Sequence, residues 1–170
     1  AGDGGDELFG GNTRYAKQRV FGYYENVPGL IKGGLLEPVI MQTPLGRLPL
    51  VRKAASYIEQ ARTPLPERTA QYNLIYRLGL DNVFPKDFLS AVDADAPIKL
   101  QRRVWHTTTA HALVNKMLSF DWRFTLADSD LPKVIGSTRL AGVDVAFPML
   151  DDDLLDFSLQ LPPEYKLKGL

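Results

Sequence analysis

The chain contains no cysteine, which excludes a disulfide framework and any thiolate metal site. A reducing compartment is thereby permitted. Histidine is almost as scarce. His106 and His111 are the two present, and their spacing does not place them on one helix face, so they do not read as a chelating pair. Neither sign of charge is in excess: 20 Lys and Arg balance 20 Asp and Glu. No global field therefore draws in nucleic acid or an anionic membrane, and no basic stripe with interleaved aromatics marks a nucleic-acid face. Apolar runs stop far short of a membrane span. Ser129, Ser137 and Thr138 have no histidine nearby in sequence, which argues against a serine hydrolase.

What is present suits a globular domain. A chain of 170 residues, 45% hydrophobic, can bury a core, and it is read as a single domain over residues 1–170. Helix signals dominate, giving a mainly α expectation. NTRYAKQRVFGYYEN (12–26) ends before Pro28, and PLVRKAASYIEQAR (49–62) carries Leu50, Val51, Ala54, Tyr57, Ile58 and Ala61 at helical spacing. PERTAQYNLIYRLGL reads as one helix from Pro66 to Gly79. PKDFLSAV reads as a short helix, and residues 97–124 as one long helix or two. DDDLLDFSLQL (151–161) has an acidic start suited to the helix dipole and a stripe of Leu154, Leu155, Phe157, Ser158 and Leu161. VDVAF before Pro148 is the best strand candidate. The segment 28–49, rich in Gly and Pro, is expected to be loop with a short helix. Trp105, Trp122 and Phe124 are assigned to the core, and Arg102, Arg103, Lys166 and Lys168 to solvent.

The opening stretch AGDGGDELFGG is the most informative. Asp3, Asp6 and Glu7 stand among Gly2, Gly4, Gly5, Gly10 and Gly11. Glycine-rich loops suit phosphate, whereas carboxylates repel it. The two coexist if a hard divalent cation lies between them, because Mg²⁺ takes one or two carboxylates plus substrate phosphates. A tight turn with solvated acids remains the alternative. A calcium loop fits less well, since the later ligands of an EF-hand are missing. Ala1 stands where Met would open a chain, and a tight loop with no element before it has nothing to hold its shape. The chain is therefore expected to be a piece of a longer protein, truncated at both ends, with a strand preceding Ala1.

AGDGGDELFGG followed by Arg14-Tyr15 resembles the S-G-x-G-G/S-D-E-x-F-G-G-Y-x-R-Y signature of asparagine synthetases. LPKVIGSTRLAGVDVAFPMLDDDLLDFSLQLPPEYKLKG is similar, in the expected order, to that family's L-x-K-x-D-R-x-S-M-x-x-G-L-E-x-R-x-P-F-L-D segment with its following helix and L-P-x-x-x-K-x-K. The resemblance implies the helical C-terminal portion of an α/β synthetase domain of the adenine-nucleotide α-hydrolase-like type. It implies ATP-dependent amide formation, with ATP and Mg²⁺ as cofactors. A carboxylate substrate, aspartate or a related acid, attacks the α-phosphate of ATP to give an acyl-adenylate and pyrophosphate. Ammonia from glutamine then displaces AMP. The glutaminase domain that supplies ammonia and the S-G-G-x-D-S pyrophosphate loop are both absent from this stretch, so the isolated chain is expected to be inactive. The implied parent is cytoplasmic, with a homodimer left open.

By position, the resemblance makes Asp6 the Mg²⁺ ligand and Asp3 a base toward the incoming nitrogen. The backbone of Gly2, Gly4 and Gly5 would cradle pyrophosphate, with Glu7 binding at or supporting that loop. Asp144 stands for the glutamate of G-L-E and is placed with the catalytic groups. Three departures stand out: Asp-Arg becomes Ile135-Gly136, the later arginine becomes Ala146, and Pro-Phe becomes Pro148-Met149. Either the acceptor acid differs, as in a β-lactam synthetase type, or structural pairs gave way to apolar packing. A non-catalytic scaffold descended from the family is the third reading.

Overall fold

A computed structural model describes residues 1–36, 38 and 49–167. Among these every regular element is helical. The main ones are α1 (Gly5–Phe9), α2 (Thr13–Glu25), α3 (Pro49–Arg62), α4 (Ala96–Thr107), α5 (Leu113–Asp121), α6 (Leu131–Leu140) and α7 (Asp152–Gln160). The chain falls into two compact units, Ala1–Gln18 with Thr107–Leu170, and Arg19–His106.

In the second unit, α3 spans the stretch read as amphipathic, and its Ile58 and Ala61 are buried. Phe21 packs on Tyr57 with ring centroids 5.5 Å apart. The predicted single helix from Pro66 to Gly79 is instead two short ones, Glu67–Ala70 and Leu74–Leu78. Asn73 causes the break. Its side chain accepts hydrogen bonds from the N–H groups of Ile75 and Tyr76 and so starts a new helix where the first would have continued. PKDFLSAV contributes the helix Lys86–Ala91. Trp105 is buried. Within 28–49, short helical turns occupy Gly29–Ile31 and Lys32–Leu36, and much of the remainder lies outside the described residues.

In the first unit, α5 runs through a π-helical stretch, Trp122–Asp130, into α6. Pro132 accounts for the widening. It brings no N–H, and its ring crowds the carbonyl four residues back. The N–H of Leu131 reaches back to Leu126, the five-residue step of a π turn. The long segment 97–124 is thus two helices. Thr108 ends the first, its hydroxyl accepting the N–H of Ala110 in competition with the helix. Trp122 and Phe124 are half-buried. VDVAF has no regular backbone structure and belongs to no sheet among the described residues. Without a partner strand its alternation produces no ladder.

Asp151 caps α7, accepting from the N–H of Asp153 at 3.1 Å. Helix α1 packs between α5 and α7. Ser158 on α7 is fully buried and donates to the carbonyl of Leu8 at 2.8 Å, tying α7 to α1. Phe157, assigned to the apolar stripe, is exposed.

Candidate functional site

The glycine-acid loop lies in the first unit and is held from three sides. The backbone nitrogen of Ala1 donates to the carbonyl of Ala146 at 2.7 Å. This sets the irregular run 143–147 beside the loop. That run begins at Gly142, whose φ of 66° closes α6, while the N–H of Val143 returns to Thr138 at 2.9 Å.

Two glycines in the loop are required by geometry. Gly4 has φ 100°, and a Cβ there would strike the Leu150 side chain. Gly10 has φ 74°, donates its N–H to the carbonyl of Asp6 at 2.8 Å, and would place a Cβ 2.7 Å from the Lys166 carbonyl. A Cβ on Gly11 would strike Oδ1 of Asp6, so the Asp6 carboxylate lies directly against that backbone. Gly2 is exposed with open space around it, and Gly5 is half-buried.

The acids separate by exposure. Asp6 is exposed, Asp3 is half-buried, and Glu7 is buried. Burial pushes the Glu7 carboxyl above its ordinary value. The charges of Asp6 and Asp121 add to this, while a backbone hydrogen bond and Arg14 oppose it.

Behind the loop, Arg14 pairs with Asp121 at 2.7 Å, and Asp121 accepts from the Thr125 hydroxyl at 3.0 Å. Burial works against the Arg14 charge, but Asp121, Tyr15 and Glu7 together outweigh it and hold its pKa above the ordinary value. Tyr15 is buried, and burial followed by the Asp121 charge raises its phenol. Neither Tyr15 Oη nor Arg14 Nε has a partner in hydrogen-bonding geometry.

Lys133 on α6 pairs with Asp130 at 2.6 Å. That pairing raises its pKa, and the charge of Asp3 adds to the effect. Sequence reading missed Asp121, Thr125 and Lys133, because nothing local marks which distant residue will face a loop. Lys166, assigned to solvent, is 9% exposed, and burial lowers its amine. Its backbone closes on Gly10 and carries the side chain inward. Arg102 is half-exposed and pairs with Glu67, and Lys168 lies outside the described residues. His106 and His111 are exposed.

Asp144 is exposed in the irregular run beside Ala1. Ile135, Gly136 and Ala146 are exposed as well.

No group of three potential metal-ligating side chains exists among the described residues. Mg²⁺ does not need one where phosphate oxygens complete its shell. Asp6 offers a hard oxygen donor, exposed and backed by Gly11, with Asp3 in the same loop, so the donor set fits that ion.

A family model described as Asparagine synthase matches residues 1–170. The chain belongs to the asparagine synthase family. Asparagine synthetase (glutamine-hydrolyzing) 1 of Bacillus subtilis (strain 168) is 24% identical over 170 residues, 99% of this chain and 25% of that protein. The chain thus spans about a quarter of the length of the curated relative it matches. No solved structure matches it. The helical architecture is consistent with a helical portion of the family's synthetase domain. Among the described residues, no helix of this family member is long and apolar enough to cross a membrane.

Proposed function

We propose that the chain forms one wall of the active site of an ATP-dependent amide-forming ligase, the larger protein acting in the cytoplasm. The observation that carries this is the pairing of a fixed glycine loop with an outward acid. Gly4 and Gly10 are locked by Leu150 and Lys166, while Asp6 is left exposed. Asp6 would hold Mg²⁺ against the β- and γ-phosphates of ATP, with the backbone of Gly2, Gly4 and Gly5 close to them. The ion supplies charge neutralisation where pyrophosphate departs.

The acceptor carboxylate attacks the α-phosphorus, and the bond to pyrophosphate breaks. Nitrogen then attacks the acyl carbon, and AMP leaves. Asp3 takes the proton that ammonium must lose before it can attack. Asp144, on the run beside Ala1, is assigned to the acceptor side. The support role open to Glu7 is the one its burial favours.

The loss of the family's Asp-Arg pair and later arginine at Ile135, Gly136 and Ala146 favours an acceptor other than aspartate, since it removes groups that could orient a polar ligand. The test is acceptor-dependent exchange of labelled pyrophosphate into ATP by the full-length protein, run over a panel of carboxylic acids. Exchange with one acid supports the ligase and names the acceptor. No exchange with any acid, at saturating Mg²⁺, supports the scaffold reading.

A further inference from the structure

Arg14 and Asp121 have no part in the chemistry above, yet they are tied to it through backbone. The Asp6 carboxylate rests against Gly11, close enough that a Gly11 Cβ would displace Oδ1. Gly11 leads through Asn12 into α2. The Asn12 side chain accepts from the N–H of Arg14 at 3.0 Å, making residues 12–14 one stiff turn. Arg14 is anchored by Asp121 at 2.7 Å, and Asp121 in turn by Thr125 at 3.0 Å. Every link lies within the first unit.

A pair selected for stability alone would be fully satisfied. Here Arg14 Nε and the Tyr15 hydroxyl are buried with no partner in full hydrogen-bonding geometry, although Tyr15 interacts with both Arg14 and Asp121. A second acid, Glu7, is buried in the field of the same arginine. The arrangement tolerates polar cost to keep Arg14 in one place.

We propose that Arg14 and Asp121, with Thr125, are positioning residues for the Asp6 carboxylate, acting on cation affinity through the Gly11 wall. This rests on the reading of Asp6 as a metal ligand.

The probe is Mn²⁺ with inorganic pyrophosphate, added to the full-length protein, with bound ion read from loss of the free Mn²⁺ electron paramagnetic resonance signal. Asp121→Asn keeps the shape and removes the charge. It should weaken Mn²⁺ binding about tenfold, the scale for partners one shell behind a ligand. Thr125→Val, a milder change, should weaken it about three- to fivefold and decides the matter if Asp121→Asn does not fold. In an Asp6→Asn background neither change should weaken binding further, because the wall then has no carboxylate to place. A merely structural pair would lower melting temperature without this non-additive shift in affinity. Binding within twofold of the unsubstituted protein in folded Asp121→Asn and Thr125→Val, alongside a clear loss in Asp6→Asn, overturns the inference and leaves the ligand reading standing. Unchanged binding in Asp6→Asn itself overturns the ligand reading, and the inference with it.

Discussion

Arg68 in the second unit and Arg14 in the first each pair with an acid, but their surroundings differ in kind. Arg68 is 1% exposed and lies over the end of α3, donating to the carbonyls of Gln60 at 3.1 Å, Ala61 at 3.1 Å and Thr63 at 2.8 Å. It also pairs with Glu25 and stacks on Phe21 at 4.8 Å. The last carbonyls of a helix have no intrahelical donors, so this arginine serves as a C-terminal cap. Arg14 meets one carboxylate and donates to the Thr125 hydroxyl at 3.5 Å, while its Nε finds no acceptor. The contrast separates an arginine that closes a backbone account from one that holds a neighbour in place.

The largest stability effect is expected at Arg68. Arg68→Met should cost about 4 kcal/mol in chemical denaturation, since several buried carbonyls lose their donor at once. It should leave Mn²⁺–pyrophosphate binding unchanged. Arg14→Met should cost less, about 2 kcal/mol, because Thr125 still donates to Asp121 and the pair retains access to water. A greater loss for Arg14→Met than for Arg68→Met breaks the comparison.

The smallest effect belongs to the rim of the second unit. Burial pushes Glu67 upward, but the hydrogen bond from Arg102, a backbone hydrogen bond and the charges of Arg102 and His106 together hold it below its ordinary value of 4.5. Stability from the pair is therefore present above that value and is lost as pH falls through the lower folded one. Glu67→Gln should flatten the acid limb of stability below about pH 5 by about 0.5 kcal/mol. An unchanged acid limb would show that the pair contributes nothing in solution.

Much of this was legible in sequence where the signal is local. The apolar spacing of 49–62 and the aspartates before Leu154 each specify an element by themselves, and α3 and α7 lie where those signals point. The turns of the glycine-acid loop were legible for the same reason, because residues 2–11 carry their own glycines, and Gly4 and Gly10 take left-handed backbone there. The misses involve competition or distance. Asn73 outbid helix continuation with its own side chain. VDVAF has strand-like alternation but no partner strand among the described residues. Lys166 reads as a surface lysine, yet its backbone must close on Gly10. Arg14 stands in the opening motif, but Asp121, far along the chain, carries no local mark of the pairing.

The central claim assigns the two loop acids to different steps, and one measurement separates them. In the full-length protein, Asp3→Asn and Asp6→Asn are compared for acceptor-dependent ATP–pyrophosphate exchange and for amide formation. If Asp3 acts as the base toward ammonia, its variant keeps exchange while amide formation falls by about 100-fold or more, partly restored at higher pH where free ammonia is more abundant. Asp6→Asn depresses both, since pyrophosphate departs in the first step. Equal loss of exchange and amide formation in Asp3→Asn, with no recovery at high pH, contradicts the account and leaves Asp3 as part of the scaffold.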